Sequence, residues 1–336
     1  LEASRGTVIK ARKRKLLFNQ INNNNMKAAY IEQYGGTEQI KTVNDFAKPT
    51  PGPGQVLVEV EAVGLNRFDT MLRAGYVHQM MPLNFPSIVA GDFAGVVSQI
   101  GEGVTGFTLG DEVFGHAGVF AGGSGALAQF VIAPSNKLAK KPKSISMVEA
   151  ASLPVTAASA LQAIEEHIAL QRGQKILIHG GTGGVGAIAV QLAKHQGAYV
   201  ATTVDGKYAS LAKALGADEV IDYKTQDFTT IIKEYDAVLV TAANAAAGSY
   251  GVLKKGGVLV FLGGMADENQ AKEHGVRAVQ QMTQTNSIQL QRIALLVDNG
   301  VIKPMVDKTF SFDEAKKAYD YFEAEHPKGK VVITIK

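Results

Sequence analysis

One stretch near the middle of this 336-residue chain restricts its fold more than any other. Lys175-Ile176-Leu177-Ile178-His179 is a short apolar run that leads directly into Gly181-Thr182-Gly183-Gly184-Val185-Gly186. Val185, Ile188, Ala189, Leu192 and Ala193 then recur at helical spacing. A strand, a glycine-rich turn and a helix, in that order, open a βαβ unit. Each glycine has its own task. Gly181 permits the tight turn, Gly183 lets a diphosphate approach the backbone, and Gly186 lets the helix pack close to the sheet. The free N–H groups at the helix start favour an anion. The stretch therefore predicts a Rossmann-type dinucleotide site formed by Gly181, Thr182, Gly183, Gly184, Val185 and Gly186. The plain alternative is an ordinary strand-to-helix turn.

Further strands are expected at 199–204, 219–223, 236–240 and 257–262, with a helix at 207–215. Strands alternating with helices give a parallel sheet, placed here over residues 150–285. Before it, short runs such as Gln55-Val56-Leu57-Val58-Glu59-Val60-Glu61 alternate with period two, between Gly- and Pro-rich turns. These suggest a small β-barrel over 26–149. The tail adds helices at 287–299 and 312–325, the latter with Ser311 and Glu314 as a capping box, and a strand at 330–335. Residues 286–336 are expected to rejoin the barrel. The fold class is thus α/β, a doubly wound parallel sheet plus a β-barrel catalytic domain.

Composition sets limits on partners. The net charge is +3, but Arg5, Lys10, Arg12, Lys13, Arg14 and Lys15 stand against Glu2 alone in residues 1–25. The remainder is slightly acidic, which argues against nucleic acid. Residues 1–25 read as a tag or processed segment, with a transit peptide as the rival. No apolar run is long enough for a membrane helix. There is no cysteine, which removes disulfides and thiolate ligands and fits a cytoplasmic protein.

Cofactor choice turns on the second strand. An acid at its end binds the ribose 2′-hydroxyl of NAD and repels a 2′-phosphate. Thr203 occupies that position, and Lys207, Tyr208 and Tyr223 follow. Asp205 argues the other way, and Lys207 reads equally as a solvated surface lysine. The balance predicts NADPH over NADH. The turns after two later strands, Thr241-Ala242 and Leu262-Gly263-Gly264, sit at carboxyl ends where ligands bind in such sheets.

The chain resembles the zinc-independent quinone oxidoreductases, the ζ-crystallin-like group of the medium-chain dehydrogenase/reductase superfamily. Five stretches carry the resemblance. They are Val63-Gly64-Leu65-Asn66-Arg67-Phe68-Asp69 with Arg73-Ala74-Gly75; Gly91-Asp92-Phe93-Ala94-Gly95-Val96-Val97; Gly110-Asp111-Glu112-Val113; the glycine loop; and Leu215-Gly216-Ala217-Asp218-Glu219-Val220-Ile221-Asp222-Tyr223. The resemblance implies a barrel of the chaperonin-10 (GroES-like) type, a cleft between two domains, a homodimer, and reduction of quinones or α,β-unsaturated carbonyls with NADPH. It also implies that Asn66, Arg73 and Tyr76 face the cleft as hydrogen-bond donors, and that Ser159 contacts the nicotinamide. Lys328 and Lys330 are implied to reach the adenosine phosphate. The family's pocket tyrosines align with Val77 and Met71, so its polar pocket is not reproduced. Zinc enzymes of the superfamily have Gly-His-Glu where this chain has Gly91-Asp92-Phe93, so no zinc is expected. Each candidate has a structural reading too: Asn66 as a helix cap with Asp69, Arg73 in an ion pair, Tyr76 as lining, and Lys328 and Lys330 on the surface. His78, His116 and His179 read as ordinary histidines, and no general acid stands out. An alcohol or carbonyl dehydrogenase and a non-catalytic NADPH-binding protein remain the alternatives.

Overall fold

Half-buried strands need a partner on each edge, and the longest strand shows how the chain supplies them. In the computed structural model, which describes residues 24–325 and 327–335, β3 (Gln55–Gly64) buries Val56, Val58, Val60 and Ala62. One edge pairs antiparallel with β5 (Asp92–Ile100). The other is shared, its first half by β7 (Phe130–Pro134) and its second by β16 (Lys330–Thr334), from the far end of the chain. β6 (Glu112–His116) and β8 (Leu138–Lys140) extend the sheet beyond β5, and β15 (Val306–Ser311) extends it beyond β16. β1 (Asn25–Ile31) lies between β2 (Lys41–Ala47) and β4 (Ser87–Ile88) in a smaller sheet. The segment read as a tag lies outside the described residues except for Asn24 and Asn25.

The second sheet is parallel throughout. Its strands are β9 (Lys175–His179), β10 (Tyr199–Val204), β11 (Glu219–Asp222), β12 (Tyr235–Val240), β13 (Leu253–Phe261) and β14 (Arg277–Gln280). Their order is β11-β10-β9-β12-β13-β14, the doubly wound arrangement. The winding reverses beside β9, so a crevice opens beyond the carboxyl ends of β9 and β12. Ile176, Leu177 and Ile178 of β9 are fully buried, each worth roughly 1.5–3 kcal/mol.

Helices α1 (Arg67–Ala74), α2 (Pro154–Leu161), α3 (Gly184–His195), α4 (Ser287–Asp298) and α5 (Ala315–Ala324) position the site. Sequence spacing gave α3 one apolar face. The structure instead buries every residue from Gly186 to Ala193, because α2 packs against the helix in addition to β9 and β10. The expected division at 285 and 286 left α4 with the barrel, yet its Leu290, Ile293, Leu296 and Val297 share a core with Ile176, Ile178 and Ile188. That core also takes in Ala62, Ala94, Phe114 and Val332 of the barrel sheet, so the two halves meet on apolar surface. No helix among the described residues is long and apolar enough to cross a membrane.

Candidate active site

The glycine loop sits at the mouth of the crevice. A Cβ on Gly181 would lie 2.0 Å from Thr202 Oγ1, and one on Gly186 would lie 2.1 Å from the Gly180 carbonyl oxygen. Both positions exclude a side chain. On Gly183 a Cβ would meet only the Gly180 oxygen, at 3.3 Å, so its outer side is open. The start of β16 runs alongside, where Gly329 N–H donates to the Thr182 carbonyl at 2.9 Å. Thr241 Oγ1 donates to the His179 carbonyl at 2.6 Å, and the N–H groups of Leu262 and Gly263 both reach the Val240 carbonyl. Thr241, Ala242, Leu262, Gly263 and Gly264 therefore gather beside the loop. Ser159 is buried on α2, its Oγ 2.7 Å from the Val155 carbonyl and 2.8 Å from Thr283 Oγ1. Gln281 Nε2 donates to the Ser159 carbonyl at 3.1 Å. Thr283 and Gln281, unmarked by any motif, are thus additions to this end of the crevice.

At the end of β10 the structure revises one expectation. Thr203 points inward, with Oγ1 3.0 Å from His179 Nδ1, so it does not stand in for a ribose-binding acid. His179 is itself buried and pushed down to about 4, hence neutral. The acid there is Asp205, partly buried and paired with Lys224 at 2.8 Å and Lys207 at 3.4 Å, which hold it below the usual carboxylate range. Lys207 Nζ lies 4.8 Å from the Tyr208 ring centre, and Lys328 Nζ lies 5.7 Å from the same ring. Lys207, Tyr208 and Lys328 are brought together from distant parts of the chain. Tyr223, half exposed, follows β11, its N–H donating to the Val204 carbonyl at 3.1 Å.

Beneath the loop lies a buried polar cluster. Asn66 caps α1, and Asp69 Oδ2 accepts its backbone N–H at 2.8 Å. Asn66 Nδ2 donates to Asp92 Oδ2 at 2.9 Å, and Asn66 Oδ1 accepts from Lys330 Nζ at 2.6 Å. Asp92 also accepts from the Val155 N–H at 3.1 Å and from His116 Nδ1 at 2.8 Å. Burial pushes Asp69 up to about 7 and draws Lys330 below the ordinary lysine value. Lys330 was expected at the adenosine phosphate. The pleat of β16 instead turns it inward, to the Leu65 carbonyl and Asn66.

Arg73 lines a pocket with Phe68, Asp69 and His116, but its guanidinium is engaged elsewhere, and Tyr76 leaves the expected cleft. The Arg73 guanidinium is buried, donates to the Gly35 carbonyl and pairs with Glu323 on the turn of α5 that faces it. Both terminal nitrogens are committed to holding α1 against its neighbours. Tyr76 follows the left-handed Gly75 that ends α1, and it is 81% exposed.

The cluster does not suit a metal ion. Three N–H donors already engage the Asp92 oxygens, and the Lys330 ammonium stands 3.9 Å away, so a divalent cation would meet a like charge. No group of three or more His, Asp or Glu side chains among the described residues is arranged to hold one.

Residues 52–143 match the alcohol dehydrogenase GroES-like domain family, and residues 215–333 match the family described as zinc-binding dehydrogenase. Quinone-oxidoreductase QR1, chloroplastic, of Triphysaria versicolor is 33% identical over 92% of this chain and 98% of that protein. The chain belongs to the medium-chain dehydrogenase/reductase superfamily, in its quinone oxidoreductase group. It is an oxidoreductase. An NADPH-dependent alkenal/one oxidoreductase, chloroplastic, of Arabidopsis thaliana is 32% identical over 92% of this chain and 79% of its own length. The solved quinone oxidoreductase of Coxiella burnetii superposes with a TM-score of 0.86 at 31% identity, over 93% of this chain and 100% of that one.

Proposed function

We propose that this protein reduces quinones or α,β-unsaturated carbonyl compounds with NADPH, by hydride transfer and without a metal. The observation that carries the reading is the buried Asn66–Asp92–Lys330 cluster directly under an open glycine cradle. The cradle fits a diphosphate: Gly183 leaves its outer side free, and the N–H groups at the start of α3 are available to an anion. Lys207, Lys328 and the Tyr208 ring suit an adenosine 2′-phosphate, while Asp205 is already held by two lysines. Ser159, Thr283 and the turns at Thr241 and Gly263 would hold the nicotinamide end. When bound, the reduced nicotinamide supplies the hydride. The protein's part is to shape the crevice, exclude water and stabilise the negative charge that forms on the substrate oxygen. Asn66 has a second amide N–H for that purpose, and Lys330 holds the amide in place.

Spectrophotometric assay of NADPH and NADH oxidation with quinones, enones and simple aldehydes tests the reading. Turnover of quinones or enones with NADPH preferred is expected. Turnover of aldehydes alone overturns it, and tight NADPH binding without turnover favours a binding protein. A homodimer formed through the free edge of β14, beside the exposed Met265, Met282 and Ile288, completes the proposal. Sedimentation at a monomer mass across micromolar concentrations removes it.

A further inference from the structure

We infer that His116, held by Asp92, donates the proton that completes the reduction. The inference rests on the reductase reading above. β5 and β6 pair antiparallel with Asp92 directly opposite His116, so the hydrogen bond between them follows from strand register. Asp92 is fully buried, whereas the His116 ring is 19% exposed. The ring occupies space left by two glycines: a Cβ on Gly91 would lie 2.3 Å from His116 Cε1, and one on Gly118 would lie 2.8 Å from Nε2. No rotamer change is needed to keep the ring there, and neither glycine accepts a side chain without moving it.

With Nδ1 bonded to Asp92 Oδ1, the ring's orientation is fixed and Nε2 is the atom left over. Nε2 has no hydrogen-bond partner among the described residues. His116 lines a pocket with Phe68, Asp69, Leu72, Arg73 and Val119, and Leu83, Val119 and Phe120 of that pocket also line an apolar trough of about 420 Å³. On its other side the same network reaches the cofactor cradle: Asp92 bonds Asn66, Asn66 bonds Lys330, and Lys330 Cδ lies 3.2 Å from where a Gly184 Cβ would stand. His116 is thus both part of the buried network and open to the pocket. The charged groups around it are Asp92 from β5 and Asp69 from α1; Lys330 from β16 stands 3.9 Å from Asp92, and Arg73 from α1 lines the same pocket.

The step balances simply. Hydride arrives at the substrate carbon and leaves an oxyanion. The Nε2–H bond of the imidazolium breaks as an O–H bond forms, giving an enol; from an enone it becomes the saturated ketone in water, and from a quinone the carbon that took the hydride loses a proton to water as the second oxygen gains one, giving the hydroquinone. The neutral imidazole then recovers a proton from solvent at its exposed edge. Asp92 acts through His116 and is a positioning residue.

The test uses the NADP+-loaded protein with 4-nitrophenolate as a mimic of the oxyanion, alongside turnover of 1,4-naphthoquinone and 2-cyclohexen-1-one. His116→Gln is expected to bind the phenolate at least ~10-fold more weakly, to keep its NADP+ affinity, and to lose about 10²- to 10⁴-fold in kcat. Added imidazole is expected to restore part of the rate to His116→Ala. In ring nitrogen NMR spectra, Nδ1 of His116 carries its proton in the wild type, and Asp92→Asn disturbs that signal. Equal phenolate affinity in wild type and His116→Gln, or no phenolate binding by the wild type, overturns the inference. Binding that depends on His116, without turnover of either substrate, instead overturns the reductase reading and proton donation with it.

Discussion

At the residue scale the buried carboxyl of Asp69 has a consequence for stability. Its folded value, about 7, is far above the ordinary 3.8, because burial disfavours the charge more than the Asn66 N–H favours it. The folded state therefore holds a proton that the unfolded chain releases near pH 4. This contribution to stability is complete below that point, falls as pH rises, and is gone above about 7. Asp69→Asn keeps an oxygen to accept the Asn66 N–H and removes the charge. Between pH 5 and 7 the wild type is expected to lose about 1.4 kcal/mol per pH unit relative to the variant. Urea denaturation of both proteins across that range measures the difference, and parallel curves would contradict it. The roles of the glycines were legible in sequence, since a backbone that must turn tightly writes its requirement into its own residues. Asp92 and His116 were not, because their contact depends on how β5 and β6 align across an intervening loop.

At the element scale, legibility follows local pattern. β9, β10 and β12 were readable from apolar runs flanked by glycine or turn residues. β14, with its polar ends Arg277 and Gln280, lies at a sheet edge and left no such signal. β15 alternates weakly, with Phe310 as its one buried residue, and was likewise missed. The turn after β10 shows how two elements build a specificity no single segment declares. Lys207 leaves the short helical turn Gly206–Tyr208, Lys328 precedes β16, and both converge on the Tyr208 ring. Charge-assisted contacts of this kind are each worth about 1.5–3 kcal/mol, or roughly 10- to 100-fold in affinity. Lys207→Ala and Lys328→Ala are each expected to weaken NADPH binding by that factor and to leave NADH nearly unchanged. Fluorescence titration with both nucleotides reads the two affinities separately. Equal losses for NADPH and NADH would mean that the lysines serve the fold or the shared diphosphate rather than the 2′-phosphate.

At the scale of the whole molecule, the tail makes one body of two sheets. β16 completes the barrel sheet against β3, while Gly329 just before it bonds the glycine loop of the parallel sheet. Lys330, the first residue of β16, then enters the polar cluster, so one short segment touches the barrel, the cradle and the candidate catalytic groups. The sequence announced two domains through their different periodicities. It did not announce that Ala62, Phe114 and Val332 share a core with Ile176 and Leu290, because packing between sheets leaves no periodic trace. Apolar packing shared across the two sheets implies cooperative unfolding. Scanning calorimetry is expected to show a single transition for this chain. NADPH at 100 times its dissociation constant should raise the stability of that whole transition by about 2.7 kcal/mol. Independent halves would behave differently: two transitions would separate, and NADPH would move only the one belonging to the parallel sheet. Because the clasp at Gly329 joins the halves at the cradle itself, the ligand's stabilisation should reach the barrel, including β1 and β2 at its far side.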